Sequence, residues 1–185
     1  MQSSNHGPAG SGYESGAHFV PEAHGVKRMV VATDFSRGAE RALTVAIELA
    51  QAFHATIDIV HVYPPVSYVS APPVEGVFPA TPSPEDLENI GRGLAGLAER
   101  VRNAGVECRT TSLEGDPAET IIAQTASVGG DLIVMGTRGR TGLRRLILGS
   151  VAEKTLRRAV TPVLAVPSED ADARSAEAGA ENVSS

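Results

Sequence analysis

Residues 29–50 of the chain read MVVATDFSRGAERALTVAIELA, and this stretch sets the architecture that we predict for the protein. Its first five residues, MVVAT, form a short continuous run rich in β-branched side chains, which is typical of a strand covered on both faces. Ser36 follows, and from Ala39 to Ala50 the apolar residues recur at spacings of three and four, which builds one apolar stripe on a helix. A buried strand followed by an amphipathic helix is the repeating unit of parallel α/β sheets.

The same alternation of strand and helix continues downstream. Further strands are predicted at 56–62, 106–112, 131–135 and 162–166. Ser83 and Asp116 each precede a proline and first-turn acids, which is an N-cap signature, and Ser150 opens a capping-box pattern before the last helix. This order predicts an α/β fold with an open, parallel, five-stranded sheet, right-handed crossovers and helices on both faces.

The chain has 185 residues, enough for one ordinary domain and some additional sequence. We expect the domain to occupy residues 27–167. Residues 1–26 and 168–185 carry no hydrophobic periodicity, and we expect them to form a flexible arm and a flexible tail. The Pro-rich connection at 64–84 is too long for a routine loop, so we expect it to form a lid or a mobile excursion.

Composition and charge exclude several classes of protein. A net charge of −6 argues against a general nucleic-acid binder. No apolar run approaches the roughly 18 residues that span a bilayer, so we expect no membrane partner. The first residues lack the pattern of a secretory signal, and a single cysteine, Cys108, excludes an internal disulfide framework, so we expect a cytoplasmic protein. No metal site is predicted, because no tight ligand spacing connects His6, His18, His24 and His54.

Open parallel sheets bind ligands beyond the carboxyl ends of their strands, where the strand order reverses, which points to the residues after the first and fourth strands. The segment after the fourth strand, residues 135–150, reads MGTRGRTGLRRLILGS. Gly136 and Gly139 would let the backbone approach an anion closely, and Gly149 and Ser150 are expected at a helix N-terminus, which favours phosphate. Four arginines add positive charge: Arg138, Arg140, Arg144 and Arg145.

These features together predict a phosphate site. The alternative is that the glycines are turn residues, that Ser150 is a structural cap and that the arginines are solvated. Two other nucleotide-binding classes are not supported. A Walker A loop needs a lysine between its glycine and its hydroxyl residue, and the dinucleotide fingerprint needs glycines after the first strand, where residues 33–36 read TDFS.

The glycine spacing resembles a known nucleotide motif. Gly136 and Gly139 are followed, after nine residues, by Gly149 and Ser150, which is similar to the G-2x-G-9x-G-S/T motif of the universal stress protein family. The likeness covers nearly all of residues 27–167, including VVATDFS, IVHVY, DLIVMGTRGRTG, LILGSVAEK and TPVLAVP. The resemblance implies a Rossmann-like sheet in the order 3-2-1-4-5, homodimers and, in members with this motif, binding of ATP, which we expect with Mg²⁺.

The resemblance also assigns residues to the nucleotide. Ala32, Thr33 and Asp34 are expected on the adenine and ribose side, where Val62 offers backbone contacts. Ala32 departs from the family pattern, because ATP-binding relatives often carry proline there. The ribose and phosphates are expected to lie among a second set of residues: Met135, Gly136, Arg138, Gly139, Arg140, Gly149, Ser150 and Val151.

Asp34 is open to two interpretations. A carboxylate at a strand end is suited to act as a base or to hold Mg²⁺ through phosphate oxygens. Alternatively, it accepts hydrogen bonds from a ribose or from the following turn, and we favour this role because no second carboxylate or histidine lies in the adjoining motifs. His61 is interpreted as a packed core histidine, and Cys108 as a small strand residue without thiol activation. No catalytic residue is predicted.

The sequence thus predicts a cytoplasmic, ATP-binding stress-response sensor or regulator with at most slow hydrolysis. One alternative is a homodimeric interaction module whose cleft is vestigial or holds another adenylated ligand, and an efficient ATPase or phosphotransferase ranks third. A homodimer through the last strand, Pro162 to Val166, is expected, because the unpaired backbone groups of an exposed apolar edge strand tend to pair with another strand. Pro162 and Pro167 confine that pairing to the middle of the strand.

Overall fold

A computed structural model of the chain describes residues 25–63, 82–137 and 148–167. Almost all of the predicted arm, the whole predicted tail and most of the Pro-rich connection lie outside these ranges. Among the described residues, no helix combines the length and the apolar character that crossing a membrane requires.

Strands and helices alternate along the described chain in the predicted order. The strands are β1 (Arg28–Thr33), β2 (Thr56–Tyr63), β3 (Cys108–Glu114), β4 (Leu132–Gly136) and β5 (Val163–Val166). The helices are α1 (Arg37–Phe53), α2 (Pro84–Asn103), α3 (Pro117–Val128) and α4 (Ser150–Arg158).

All five strands are parallel and lie in the order β3-β2-β1-β4-β5, which confirms the predicted fold. The order reverses between β1 and β4, because β1 pairs with β2 on one side and with β4 on the other. Thr33 of β1 is in register with His61 of β2, so both residues stand at the carboxyl end of the sheet. That end is where a ligand cavity is expected.

The core lies on both faces of the sheet, because side chains along each strand alternate between the two helical layers. Met29 and Val31 pack on one face with apolar residues of α1 and α2. Ala32 and Met135 pack on the other face, with Ile121 of α3 and Ala152 of α4. Both faces are therefore covered, as the continuous apolar run of β1 predicts.

Three predicted strands begin later than expected, and β5 is one of them, since it starts at Val163 and not at Pro162. The predicted strand at 106–112 is β3, which starts at Cys108, because Val106 donates its N–H to the carbonyl of Val101 in the last turn of α2 (3.3 Å) and not to the sheet. β4 starts at Leu132, because the side chain of Asp131 accepts the N–H groups of Lys27 and Arg28, both at 2.9 Å.

Two of the three predicted N-terminal caps, Ser83 and Asp116, are confirmed, and Ser36 caps α1 in addition. Ser36, Ser83 and Asp116 accept backbone N–H groups at the starts of α1, α2 and α3. The predicted capping box at Ser150 is wrong: the N-cap is Gly149, Ser150 is the first helical residue, and α4 has no side-chain cap. The cause is that Gly149 is extended (φ −75°, ψ 155°) and donates its N–H to the carbonyl of Thr137 at 2.7 Å.

Candidate functional site

A cavity of about 860 Å³ lies at the carboxyl ends of β1, β2 and β4, where the strand order reverses. Every predicted site residue within the described ranges lines it: Ala32, Thr33, Asp34, Val62, Met135, Gly136, Gly149, Ser150 and Val151. The other predicted site residues, Arg138, Gly139 and Arg140, lie outside the described residues. The structure thus brings together two segments that are about 100 residues apart in the sequence, as the switch-point rule predicts.

The N-terminus of α4 opens into this cavity. Ser150, Val151 and Ala152 all line the cavity, and the first intrahelical bond is donated by the next residue, Glu153, to the carbonyl of Gly149 (2.9 Å). The amides of a first helical turn have no intrahelical acceptor, and α4 has no side-chain cap to accept them. Such a turn combines N–H donors with the positive end of the helix dipole, which suits a phosphate group.

Gly136, the last residue of β4, makes room for helix α1. A Cβ atom on Gly136 would lie 2.8 Å from the carbonyl carbon and 2.9 Å from the carbonyl oxygen of Gly38 in the first turn of α1. The backbone of Gly136 is not in the left-handed region, so the glycine is required for this close approach and not for its backbone angles. The packing holds the start of α1 and the end of β4 against each other beside the cavity.

The turn after β1 fixes Asp34 at the cavity wall. Asp34 Oδ1 accepts the N–H of Ser36, and Thr33 Oγ1 accepts the N–H of Phe35, both at 3.1 Å. Asp34 therefore serves as an acceptor for its own turn, as predicted. Phe35 has a φ of 61°, which is uncommon for a residue other than glycine and costs of the order of 1 kcal/mol. The two side-chain hydrogen bonds help to hold this conformation.

His61 and Phe35 form an aromatic pair at the cavity. Their ring centroids are 4.8 Å apart, and both residues line the cavity. His61 Nδ1 donates to the carbonyl of Thr33 at 2.8 Å, which indicates that this nitrogen carries a proton. His61 is buried, as predicted for a core histidine, but it also belongs to the cavity wall, which the sequence analysis missed.

Helix α2 supplies a wall that the sequence analysis did not anticipate. Asp86, Asn89, Ile90 and Gly93 line the cavity, although they follow the first predicted site residue by more than 50 positions. The cavity therefore holds a second carboxylate, Asp86, from outside the motifs that adjoin Asp34, and only the packing of α2 on the sheet brings the two side chains to one cavity. Asp86 accepts the backbone N–H of Ser83 (2.8 Å) and its hydroxyl (2.8 Å), and these hydrogen bonds lower the pKa of the Asp86 carboxyl.

Cys108 lies at the start of β3 and does not line the cavity. Its side chain is buried among residues of α1 and α2, and this burial raises the pKa of the thiol to about 11, although nearby Arg102 acts in the opposite direction. An unactivated thiol is what the sequence predicts for this position.

Comparison with known proteins relates this fold and cavity to one family. Residues 25–167 match the model of the universal stress protein family. A universal stress protein of Methanocaldococcus jannaschii, MJ0531, is 37% identical over 141 residues, which cover 76% of this chain and 81% of that protein.

Two solved structures superpose on the chain with bound nucleotides of their own. One is a universal stress protein in complex with cAMP, which is 25% identical, has a TM-score of 0.60 and is matched over 78% of this chain and 99% of that one. The other is the universal stress protein of Archaeoglobus fulgidus in complex with dAMP, at 26% identity, a TM-score of 0.57 and coverage of 76% and 97%. On the family match and these likenesses, the chain belongs to the universal stress protein family.

Proposed function

We propose that this protein binds an adenine nucleotide in the cavity at the carboxyl ends of the strands, and that it acts as a stress-response sensor or regulator. One observation carries the proposal: the first turn of α4, with Gly149 as N-cap and no side-chain cap, lines the cavity at the switch point of the sheet. Anions bind at such helix starts because amide donors and the helix dipole act together.

The proposed arrangement assigns two halves of the cavity to two parts of the nucleotide. Ala32, Thr33, Asp34 and Val62 line the half that we assign to adenine and ribose. The ribose and phosphates are assigned to the other half of the cavity and to the segment of sequence that follows β4: Met135, Gly136, Arg138, Gly139, Arg140, Gly149, Ser150 and Val151.

Two lines of support favour an adenine nucleotide, and one of them favours ATP. The relatives in complex with cAMP and dAMP show that this fold accommodates adenine and one phosphate in those proteins. The spacing of Gly136, Gly139, Gly149 and Ser150 resembles the motif of ATP-binding members, and it is the reason that we propose the triphosphate.

We propose that hydrolysis of ATP is at most slow. Both carboxylates that line the cavity already accept backbone N–H groups: Asp34 accepts the N–H of Ser36, and Asp86 accepts the N–H of Ser83. The imidazole of His61, which also lines the cavity, is held through Nδ1 by the carbonyl of Thr33. Within the described ranges, no group of three or more His, Cys, Asp or Glu residues is placed to hold a metal ion. A Mg²⁺ ion would therefore take most of its ligands from the phosphate oxygens and from water.

We also propose a cytoplasmic location and a homodimer formed through β5. The dimer is supported by the position of β5 at the edge of the sheet, where its outer side pairs with no strand among the residues described. The alternative function, an interaction module with a vestigial cleft, stays open. Denaturing freshly purified protein and analysing the released small molecules separates the two, because a bound adenine nucleotide supports the first and an empty cleft supports the second.

The direct test uses the variant Gly149→Asp. An aspartate at this N-cap should accept the amides of the first turn and stabilise α4, while its charge repels a phosphate. We therefore expect calorimetric titration with Mg-ATP to show a loss of affinity of more than about tenfold, at an unchanged or higher melting temperature.

The matched control is Gly96→Asp, which adds the same charge on the exposed side of α2, where a Cβ atom meets nothing within 4 Å. It should bind ATP like the unmodified protein. Normal ATP affinity in Gly149→Asp would contradict the proposed phosphate site, and a lack of binding of ATP, AMP and cAMP by the unmodified protein would contradict the proposed function.

A further inference from the structure

Four charged side chains join α3 to α4 beside the cavity, and we call Asp116, Glu119, Lys154 and Arg158 the α3–α4 ion cluster. Lys154 Nζ lies 3.0 Å from Asp116 Oδ1 and 3.2 Å from Glu119 Oε1, and Arg158 also contacts Glu119. Lys154 is thus held by both carboxylates of the cluster. Asp116 Oδ1 also caps α3, because it accepts the N–H of Glu119 (3.1 Å).

The ion cluster stands at the rim of the proposed phosphate site. Lys154 follows Ser150 by four residues, so the two lie on the same side of α4, and helical side chains lean toward the N-terminus of their helix. Ser150 lines both the main cavity and a smaller hollow that Lys154 also lines. On the other side, Asp116 directly precedes Pro117, which lines the main cavity. The ammonium group of Lys154 therefore lies at the start of α3, and its helix carries Ser150 one turn away on the same side.

We propose that Lys154 is a specificity residue for the polyphosphate end of the nucleotide, and that its ammonium group binds the terminal phosphate of a nucleoside triphosphate. This inference rests on the proposed function, because it needs a nucleotide whose first phosphate lies at the start of α4. A monophosphate bound there has no group that extends to Lys154, so the lysine distinguishes long phosphate tails from short ones.

The present partners of Lys154 can be exchanged at low cost. The side chains of Lys154, Asp116 and Glu119 are 39%, 51% and 47% exposed, and ion pairs at such exposure are weak. A terminal phosphate carries more charge than a carboxylate and offers three acceptor oxygens, so it competes well for an ammonium group. Lys154 also shields the phosphate tail from Asp116 and Glu119, which would repel it if the lysine were absent.

The test compares ATP with AMP on the full chain by calorimetric titration. In Lys154→Met, which keeps the aliphatic stem and removes the charge, we expect ATP to bind about tenfold more weakly, while AMP affinity stays within about twofold. Glu119→Gln removes one competing carboxylate, and we expect it to bind ATP several-fold more tightly at unchanged AMP affinity. The control is Arg109→Met on β3, where the exposed guanidinium lies 3.4 Å from Glu107 and lines neither the main cavity nor the smaller hollow, and it should leave both affinities unchanged.

Failure of this inference can be distinguished from failure of the proposed function. If unmodified protein binds neither ATP nor AMP, the proposed function fails and this inference fails with it. If unmodified protein binds both, and Lys154→Met weakens neither or weakens both equally, the inference alone is overturned, because the lysine then acts on α4 as a whole or not at all. Circular dichroism spectra that match the unmodified protein confirm that the variant is folded, as expected for an exposed side chain.

Discussion

Thr125 and Thr155 are both fully buried, and they differ in what their hydroxyl groups contact. Thr125 Oγ1 donates to the carbonyl of Ile121 at 2.8 Å, whereas Thr155 Oγ1 finds no hydrogen-bond partner in the part of the chain that the structure describes. A buried polar group without a partner costs free energy, and an apolar group of the same shape removes that cost.

We therefore expect opposite effects from the same substitution at these two positions. Thr155→Val should raise the free energy of unfolding by about 1 kcal/mol, and Thr125→Val should lower it by about 1 kcal/mol, because only the second change removes a hydrogen bond. Urea unfolding of the two variants measures the difference. Equal destabilisation by both substitutions would show that the hydroxyl of Thr155 does have a partner.

The buried thiol of Cys108 makes the stability of the protein depend on pH. Burial raises the pKa of its thiol from 9.0 to about 11, so the unfolded chain releases this proton at lower pH than the native protein does. The contribution of the protonated Cys108 thiol to the free energy of unfolding is fully present below pH 9 and is lost as the pH rises toward 11. Relative to Cys108→Ala, we expect unmodified protein to lose up to about 2 kcal/mol of stability over that range.

Urea unfolding at several pH values checks this expectation, and thiol labelling gives an independent readout. The chain has one cysteine, so every labelled thiol is Cys108. Native protein at pH 8 should react slowly, and protein in denaturant should react at the rate of a free thiol. Fast labelling of the native protein would mean that β3 does not bury this side chain.

At the scale of elements, structure follows most directly from sequence where a signal is local. The start of α2 follows from an N-cap serine, a proline and first-turn acids within residues 83–86, and the strand MVVAT is continuous in sequence. The contribution of α2 to the cavity has no such signal, because Asp86 and Asn89 reach the cavity only through packing of the helix on the sheet. The capping error at Ser150 has a related cause, since the hydrogen bond from Gly149 to Thr137 joins two separate segments.

Helix α2 offers a matched pair of glycines that tests this packing. A Cβ atom on Gly96 would meet nothing within 4 Å, whereas one on Gly93 would lie 2.8 Å from the ring of Phe35. We expect Gly96→Ala to stabilise the protein by about 0.5–1 kcal/mol, through lower chain entropy in the unfolded state. Gly93→Ala should be less stable than Gly96→Ala by about 1–2 kcal/mol, because the Phe35 ring already packs on His61.

The two glycine variants of α2 also allow effects on stability to be compared with effects on nucleotide affinity. Displacement of the Phe35 ring would disturb the cavity wall, so Gly93→Ala should also bind nucleotide more weakly, while Gly96→Ala should bind it normally. Urea unfolding and calorimetric titration measure the two effects. Equal stability and equal affinity in the two variants would show that the Phe35 ring moves aside freely.

At the scale of the whole molecule, one reversal of strand order accounts for the site. It brings the turn after β1 and the segment after β4 to the same crevice, and sequence reasoning predicts this arrangement because parallel sheets of this class share it. The crevice also adjoins the edge of the sheet. Gly136 is in register with Val166 of β5, and Thr137 donates its N–H to the carbonyl of Val166 (2.9 Å). β5 therefore connects the cavity to the surface that we propose for the dimer.

The surface around β5 is apolar and incompletely covered. Val163, Leu164 and Ala165 are only partly buried, and the neighbouring Leu156 and Val160 are 42% and 96% exposed. An edge strand with apolar neighbours is prone to pair with another strand, and a second copy in antiparallel orientation would satisfy its free backbone groups. A symmetric dimer would also cover Leu156 and Val160.

We expect Val160→Asp to weaken the dimer by at least about tenfold, because it places a charge in an apolar contact, and to leave the folded monomer intact, since Val160 is almost fully exposed. Sedimentation at micromolar concentration measures the change. Leu87→Asp is the control. Leu87 is 43% exposed on α2, which packs near β3 at the opposite edge of the sheet, so the dimer affinity of this variant should be unchanged. An unmodified protein that sediments as a monomer, or dimers lost equally in both variants, would contradict an interface at β5.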